Sequence, residues 1–203
     1  KVKLCIDVGG NVGDYTAGLR NRFPKSTIYT FEPSQTNIIK LEARYKDDLS
    51  VHIIPNALSD VAATVDLYSD EPGSGLSSLV KRDLSHSNID FETRELVKAI
   101  RFEDFWKDRL DSCYIDVLKL DIEGHEIAAL NGFGAAIDNI KVIQFEFGGC
   151  NIDTRTYLRD FWLFFANKGF KLYRVTPFGA VPVNEYRERD EHFLTTNYFA
   201  VAK

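Results

Sequence analysis

The residues from Leu4 to Tyr15 constrain the fold more than any others in the chain. An apolar run bearing one acid, Leu4-Cys5-Ile6-Asp7-Val8, passes into the turn Gly9-Gly10-Asn11-Val12-Gly13 and reopens as a helix at Asp14-Tyr15. Glycines take positive φ and let the backbone approach a ligand, while the helix start offers unpaired N–H groups. A strand, glycine turn and helix in that order place a binding cleft at the carboxyl edge of a parallel sheet.

The rest of the chain keeps that rhythm. Short β-branched runs predict strands at Lys3–Val8, Thr27–Phe31, Val51–Pro55, Ile115–Leu120, Val142–Phe147, Phe170–Val175 and Asn197–Ala202. Amphipathic stretches predict helices at Asp14–Phe23, Gln35–Tyr45 and Thr154–Lys168, the first stopped by Pro24 and the last by Gly169. Strands alternating with helices give an α/β fold: three layers, doubly wound and Rossmann-like. Residues 60–101 break the pattern with a strand at Thr64–Tyr68, a polar loop from Ser69 to Gly75 and a charged segment from Lys81 to Arg94. We read residues 1–203 as one domain in which this stretch is a lid-like insertion over the mouth of the sheet.

Bulk properties exclude some partners. The net charge of −5, from 30 acidic and 25 basic side chains, provides no cationic field for a phosphate backbone, so nucleic acid is not expected. Cys5, Cys113 and Cys150 have neither an even count nor metal-ligand spacing, which points to reduced thiols and a cytoplasmic setting. No apolar run reaches the ~18 residues of a membrane span. With no Met, and a strand almost at once, residues preceding Lys1 are expected to be missing.

The charged residues at the strand tips narrow the ligand. A dinucleotide turn wants G-x-G-x-x-G, and the spacing of Gly9, Gly10 and Gly13 misses it. Asp7 would repel a pyrophosphate but can receive the ammonium of an amino-acid moiety. Glu32, at the end of the second strand in Phe31-Glu32-Pro33, stands where such folds bind ribose hydroxyls. An NAD-dependent oxidoreductase would also use Glu32, and a non-catalytic nucleotide-binding module would keep the cleft alone. Both stay open at this point.

Taken together, Asp7-Val8-Gly9-Gly10-Asn11-Val12-Gly13 with Tyr15-Thr16, Phe31-Glu32-Pro33, Asn56-Ala57-Leu58-Ser59-Asp60, Ser77-Ser78-Leu79, Leu118-Lys119-Leu120-Asp121-Ile122-Glu123-Gly124-His125-Glu126 and Phe145-Glu146 resemble the FkbM family of S-adenosylmethionine-dependent methyltransferases. The resemblance implies a seven-stranded, mostly parallel sheet whose last strand is antiparallel, with S-adenosylmethionine across its carboxyl edge. It implies Asp7, Gly9 and Asn11 at the methionine end, with Tyr15 behind them, and Glu32 on the ribose, followed by Pro33. Asn56 and Ala57 would lie beside the adenine and Asp121 near the methionine amino group. Apart from the resemblance, Ser77 and Ser78 follow the glycine-rich loop, where they read either as contacts for the cofactor carboxylate or the acceptor or as a plain polar turn. The expected acceptor is a hydroxyl of a sugar, glycoconjugate or small metabolite. Gly10 stands where many relatives have Ala.

Methyl transfer to a hydroxyl is an in-line displacement, so alignment can contribute about 7–11 kcal/mol and a general base a further factor of about 10² to 10⁴. Glu123 ranks first as that base and His125 second, with His125 also readable as a solvent-facing helix start and Glu126 as an acid in the first helical turn. Glu146, at the end of the fifth strand, is a candidate to cooperate with Asp121 or Glu123. Three such carboxylates can hold a divalent ion in some class I O-methyltransferases. The Asp-Asn pair resembling those enzymes is missing at the fifth strand, and no metal is expected.

Overall fold

A computed structural model describes all 203 residues, Lys1–Lys203. In chain order the elements are β1 (Leu4–Val8), α1 (Asp14–Arg22), β2 (Thr27–Phe31), α2 (Gln35–Tyr45), β3 (Val51–Ile54), β4 (Ala57–Leu58), β5 (Ala63–Ser69), β6 (Thr93–Ile100), α3 (Phe102–Arg109), β7 (Ile115–Leu120), α4 (Glu126–Gly132), β8 (Ile140–Phe147), α5 (Cys150–Thr154), α6 (Leu158–Asn167), β9 (Phe170–Thr176), β10 (Gly179–Val183) and β11 (Thr196–Ala202). The main sheet runs β10-β9-β11-β8-β7-β1-β2-β3. Its strands from β8 to β3 are parallel, and β11 lies antiparallel between β8 and β9.

The expected α/β class and antiparallel last strand are therefore present, with eight strands in place of seven. The extra strand is β10, which forms an antiparallel hairpin with β9. Its sequence, Gly-Ala-Val-Pro-Val, is mostly exposed and has no amphipathic alternation to announce it. Pro182 fits an outer edge because its missing N–H has no further neighbour to serve.

β1 is buried along its whole length, as a central parallel strand with helices on both faces requires. The largest core cluster lies beneath β7 and β8 and is rich in phenylalanine. Phe145 stacks on Phe161 at 4.6 Å between centroids and on Phe165 and Tyr198 at 5.2 and 5.5 Å. Replacing Phe145 with alanine should cost about 3–5 kcal/mol of unfolding free energy, read from urea denaturation.

The helix expected at Thr154–Lys168 begins later, as α6, and is preceded by the separate short helix α5. Arg155 adopts φ 54°, which ends α5, and α6 begins at Leu158. Glu191 caps α6 by accepting from the N–H groups of Leu158 and Arg159 at 2.9 and 3.0 Å. The segment after β10 therefore anchors a helix. Residues 60–101 hold more regular structure than expected: β5 and β6 form a hairpin, and β4 pairs parallel to β6 in a separate three-stranded sheet. No helix is long and apolar enough to cross a membrane.

Candidate functional site

The cleft lies at the carboxyl ends of β1, β2 and β7, with a volume of about 280 Å³, at the small end of the range for small-molecule sites. Its floor is the glycine turn. Gly9 has φ 81°, and a Cβ there would fall 1.9 Å from the carbonyl oxygen of Asp121. The N–H groups of Gly9 and Gly10 both donate to Phe31 O at 3.0 Å, fastening the turn to β2. At Gly10 a Cβ would meet Thr30 Cγ2 at 2.3 Å, which accounts for a glycine at this position.

Glu32 is nearly buried, and both its carboxylate oxygens are engaged: Oε2 accepts from Asn11 N at 2.7 Å and Oε1 from Ser34 N at 2.9 Å. These bonds fix the rotamer and leave further lone pairs directed at the cleft wall. Burial pushes its pKa up, against the pull of the two N–H donors. Asn11, Tyr15, Pro33, Asn56 and Ala57 line the cleft.

Asp7 does not line the cleft. It is fully buried, accepts from Thr16 Oγ1 at 2.6 Å, and faces Lys119 Nζ at 3.4 Å across the β1–β7 register. The expectation that its carboxylate meets a ligand directly is corrected by Lys119, whose ammonium occupies that side. Lys119 Nζ also donates to Gly9 O at 2.9 Å, lies 3.5 Å from Asp121 Oδ2 and sits 5.2 Å from the Tyr15 ring centroid. Burial disfavours its charge, but Asp7 and Asp121 outweigh burial and raise its pKa. Asp121, with 41% of its side chain exposed, is the carboxylate that reaches the cleft.

After β7 the backbone takes left-handed φ at Glu123 (52°) and Gly124 (99°); the strain falls on Glu123, and the loop is held from below by Glu126. Glu126 is fully buried, and its Oε1 accepts from Ile122 N and Gly124 N at 3.0 and 3.3 Å. Its duty is thus to hold the loop as well as to begin a helix. Burial raises its pKa from 4.5 to about 7. A carboxyl that binds its proton more tightly when folded gives its full stabilisation below about pH 4.5 and loses it as the pH rises through about 7. Glu126→Gln should therefore flatten the fall in unfolding free energy between pH 5 and 8, measured by urea denaturation.

Glu123 is met by a residue that the sequence did not announce. Arg82, from the insertion, pairs with Glu123 Oε2 at 2.7 Å and with Asp153 Oδ2 of α5 at 3.2 Å, with only 9% of its side chain exposed. Burial raises the pKa of Glu123, and Arg82 opposes that rise. Ser78 donates to the Glu123 carbonyl oxygen at 2.8 Å, so two residues of the insertion grip the same loop. Glu146, at the end of β8, has a carboxylate oxygen within 4.8 Å of one from each of Asp121 and Glu123. Burial, then Asp121 and Glu123, raise its pKa to about 7. His125 does not face open solvent: it lines the cleft, shares a 3.0 Å hydrogen bond with Ser59, and burial lowers its pKa.

The chemistry of the cleft wall fits an adenosyl amino acid. Asn11 Oδ1 and Asn37 Oδ1 are buried acceptors with no partner inside the protein. An unmet buried acceptor costs about 1–3 kcal/mol. Each is suited to a ligand donor such as a sugar hydroxyl, beside a carboxylate that wants the same. Asn37 went unnoticed in the sequence because α2 carries it as one polar position among several.

Residues 7–172 match the family model described as Methyltransferase FkbM domain. Methyltransferase 1 of Beauveria bassiana (strain ARSEF 2860) is 26% identical over 157 residues, covering 68% of this chain and 63% of that protein, so the match spans less than two thirds of that relative. Methyltransferase sdnD of Sordaria araneosa is 24% identical over 202 residues, covering 84% of this chain and 74% of its own length. Among solved structures, SMU.1697c of Streptococcus mutans in complex with SAH shares the fold at a TM-score of 0.54 and 9% identity, covering 99% of this chain and 89% of that one.

Proposed function

The chain belongs to the FkbM methyltransferase domain family, whose cofactor is S-adenosylmethionine, and from that premise we propose that it methylates a hydroxyl of a sugar, glycoconjugate or other small metabolite. The observation that carries the hydroxyl is the close pair Glu123 and Glu146 at the tips of β7 and β8. A neutral hydroxyl must give up a proton as it is methylated, and Glu146, whose pKa is raised to about 7 by burial and by the neighbouring Asp121 and Glu123, can take it. We assign the proton to this pair, with Glu123 expected to act jointly with Glu146 rather than alone because Arg82 holds one of its oxygens.

The family assignment sets the NAD reading aside. When bound, the sulfonium supplies an electrophilic methyl group. Glu32, with Asn11 and Asn37, would hold the ribose hydroxyls; Asn56 and Ala57 would flank the adenine; Asp121 would take the methionine ammonium. His125, bonded to Ser59 just beyond Ala57, would support that adenine wall. Residues 60–101 would act as a lid on a single domain, with Ser74, Gly75 and Ser78 on the cleft and Arg82 fastening it to the loop that carries Glu123.

The test is methyl incorporation from radiolabelled S-adenosylmethionine into a panel of hydroxylated glycans and small alcohols. Transfer to oxygen supports the reading, and transfer to amines alone overturns it. With an acceptor found, Glu146→Gln should lower turnover about 10²- to 10⁴-fold while leaving S-adenosylhomocysteine affinity within a factor of about two.

A further inference from the structure

We propose that Lys119 is a positioning residue that sets the charge read by the methionine ammonium, with Asp7 acting on the cofactor only through it. This rests on the cofactor placement given above. Asp7 and Lys119 are register partners on β1 and β7, so their side chains leave the same face of the sheet. One ammonium spans three oxygens: Gly9 O at 2.9 Å, Asp7 Oδ1 at 3.4 Å and Asp121 Oδ2 at 3.5 Å. Lys119 thus ties the glycine turn to the tip of β7.

The charge sum gives the arrangement its meaning. Burial raises the pKa of Asp7 against the pull of the Lys119 ammonium beside it; with that ion pair formed, two carboxylates and one ammonium leave a single negative charge, and only Asp121 of the three groups is substantially exposed. Asp7, without exposure, cannot meet a ligand. Its role is to occupy Lys119: with Asp7 neutral, Lys119 would turn its full charge on Asp121, and the net charge offered to an incoming cation would fall to zero. Removing Asp7 and Lys119 charges together returns the net charge to that of the native site.

Calorimetry with two probes tests this: S-adenosylhomocysteine, which carries the amino-acid tail, and 5′-methylthioadenosine, which lacks it. Asp7→Asn should weaken S-adenosylhomocysteine about tenfold, the effect of one unit of charge beside a cation, and leave 5′-methylthioadenosine unchanged. Asp7→Asn/Lys119→Met should return S-adenosylhomocysteine to within about threefold of the native chain. A double variant as weak as Asp7→Asn, or weaker, overturns the proposal, because Lys119 would then be touching the cofactor itself. Equal losses for both probes in Asp7→Asn overturn it as well, since the defect would be structural. Asp7→Asn keeps the native shape and decides the matter alone should the double variant not fold. Native protein indifferent to both probes would instead sink the cofactor placement, and this inference with it.

Discussion

Glu32→Ala should abolish measurable S-adenosylhomocysteine binding, a loss of at least about a hundredfold by calorimetry. Hydrogen bonds to a charged group are worth about 1.5–3 kcal/mol each, and a ribose diol would make two. The substitution also strands two protein donors. Asn11 N and Ser34 N both rely on this carboxylate, at 2.7 and 2.9 Å, and Asn11 sits in the glycine turn at φ 46°. Glu32→Gln separates the two effects: its amide oxygen can still serve one N–H, so the turn should survive while affinity falls less. Retention of native affinity by Glu32→Ala would show that the cleft does not bind a ribose at this edge.

Gly9→Ala should be the most destabilising single substitution in the site. Alanine at φ 81° bears a left-handed penalty of about 1–2 kcal/mol. The larger effect is the clash, since a Cβ 1.9 Å from the Asp121 carbonyl oxygen must push β1 and β7 apart where Asp121 N bonds Val8 O. Backbone collisions of this kind fall in the class that exceeds about 4 kcal/mol. Urea denaturation should show that loss, and any protein still folded should fail to bind S-adenosylhomocysteine. Gly18→Ala is the control, because a Cβ there meets nothing within 4 Å.

The parts legible in the sequence were those encoded locally. The glycine turn, the acid at the end of β2 and the block from Leu118 to Glu126 announce themselves within a dozen residues, and the strands of the parallel sheet follow from their apolar runs. Lys119 stood in the open, a cation inside an apolar strand, yet its meaning depends on Asp7, 112 residues away in the chain. Arg82 was harder still: in a charged loop nothing distinguishes the one arginine that reaches Glu123. Asp7 was misread for the same reason, since its partner came from another strand. α3, with the sequence Phe-Glu-Asp-Phe-Trp-Lys-Asp-Arg, was passed over because it is short and mostly charged, and only packing of Phe102 and Trp106 reveals its inner face.

The small sheet has a mechanical consequence. Its middle strand, β6, is bonded on one side to β4, which brings Ala57 and Leu58 to the cleft, and on the other to β5, which leads into Ser74 and Ser78. One ladder of backbone hydrogen bonds therefore joins the two strands that lead to these cleft residues. A displacement of β5 should then be transmitted to β4 and, through Arg82, to the loop that carries Glu123.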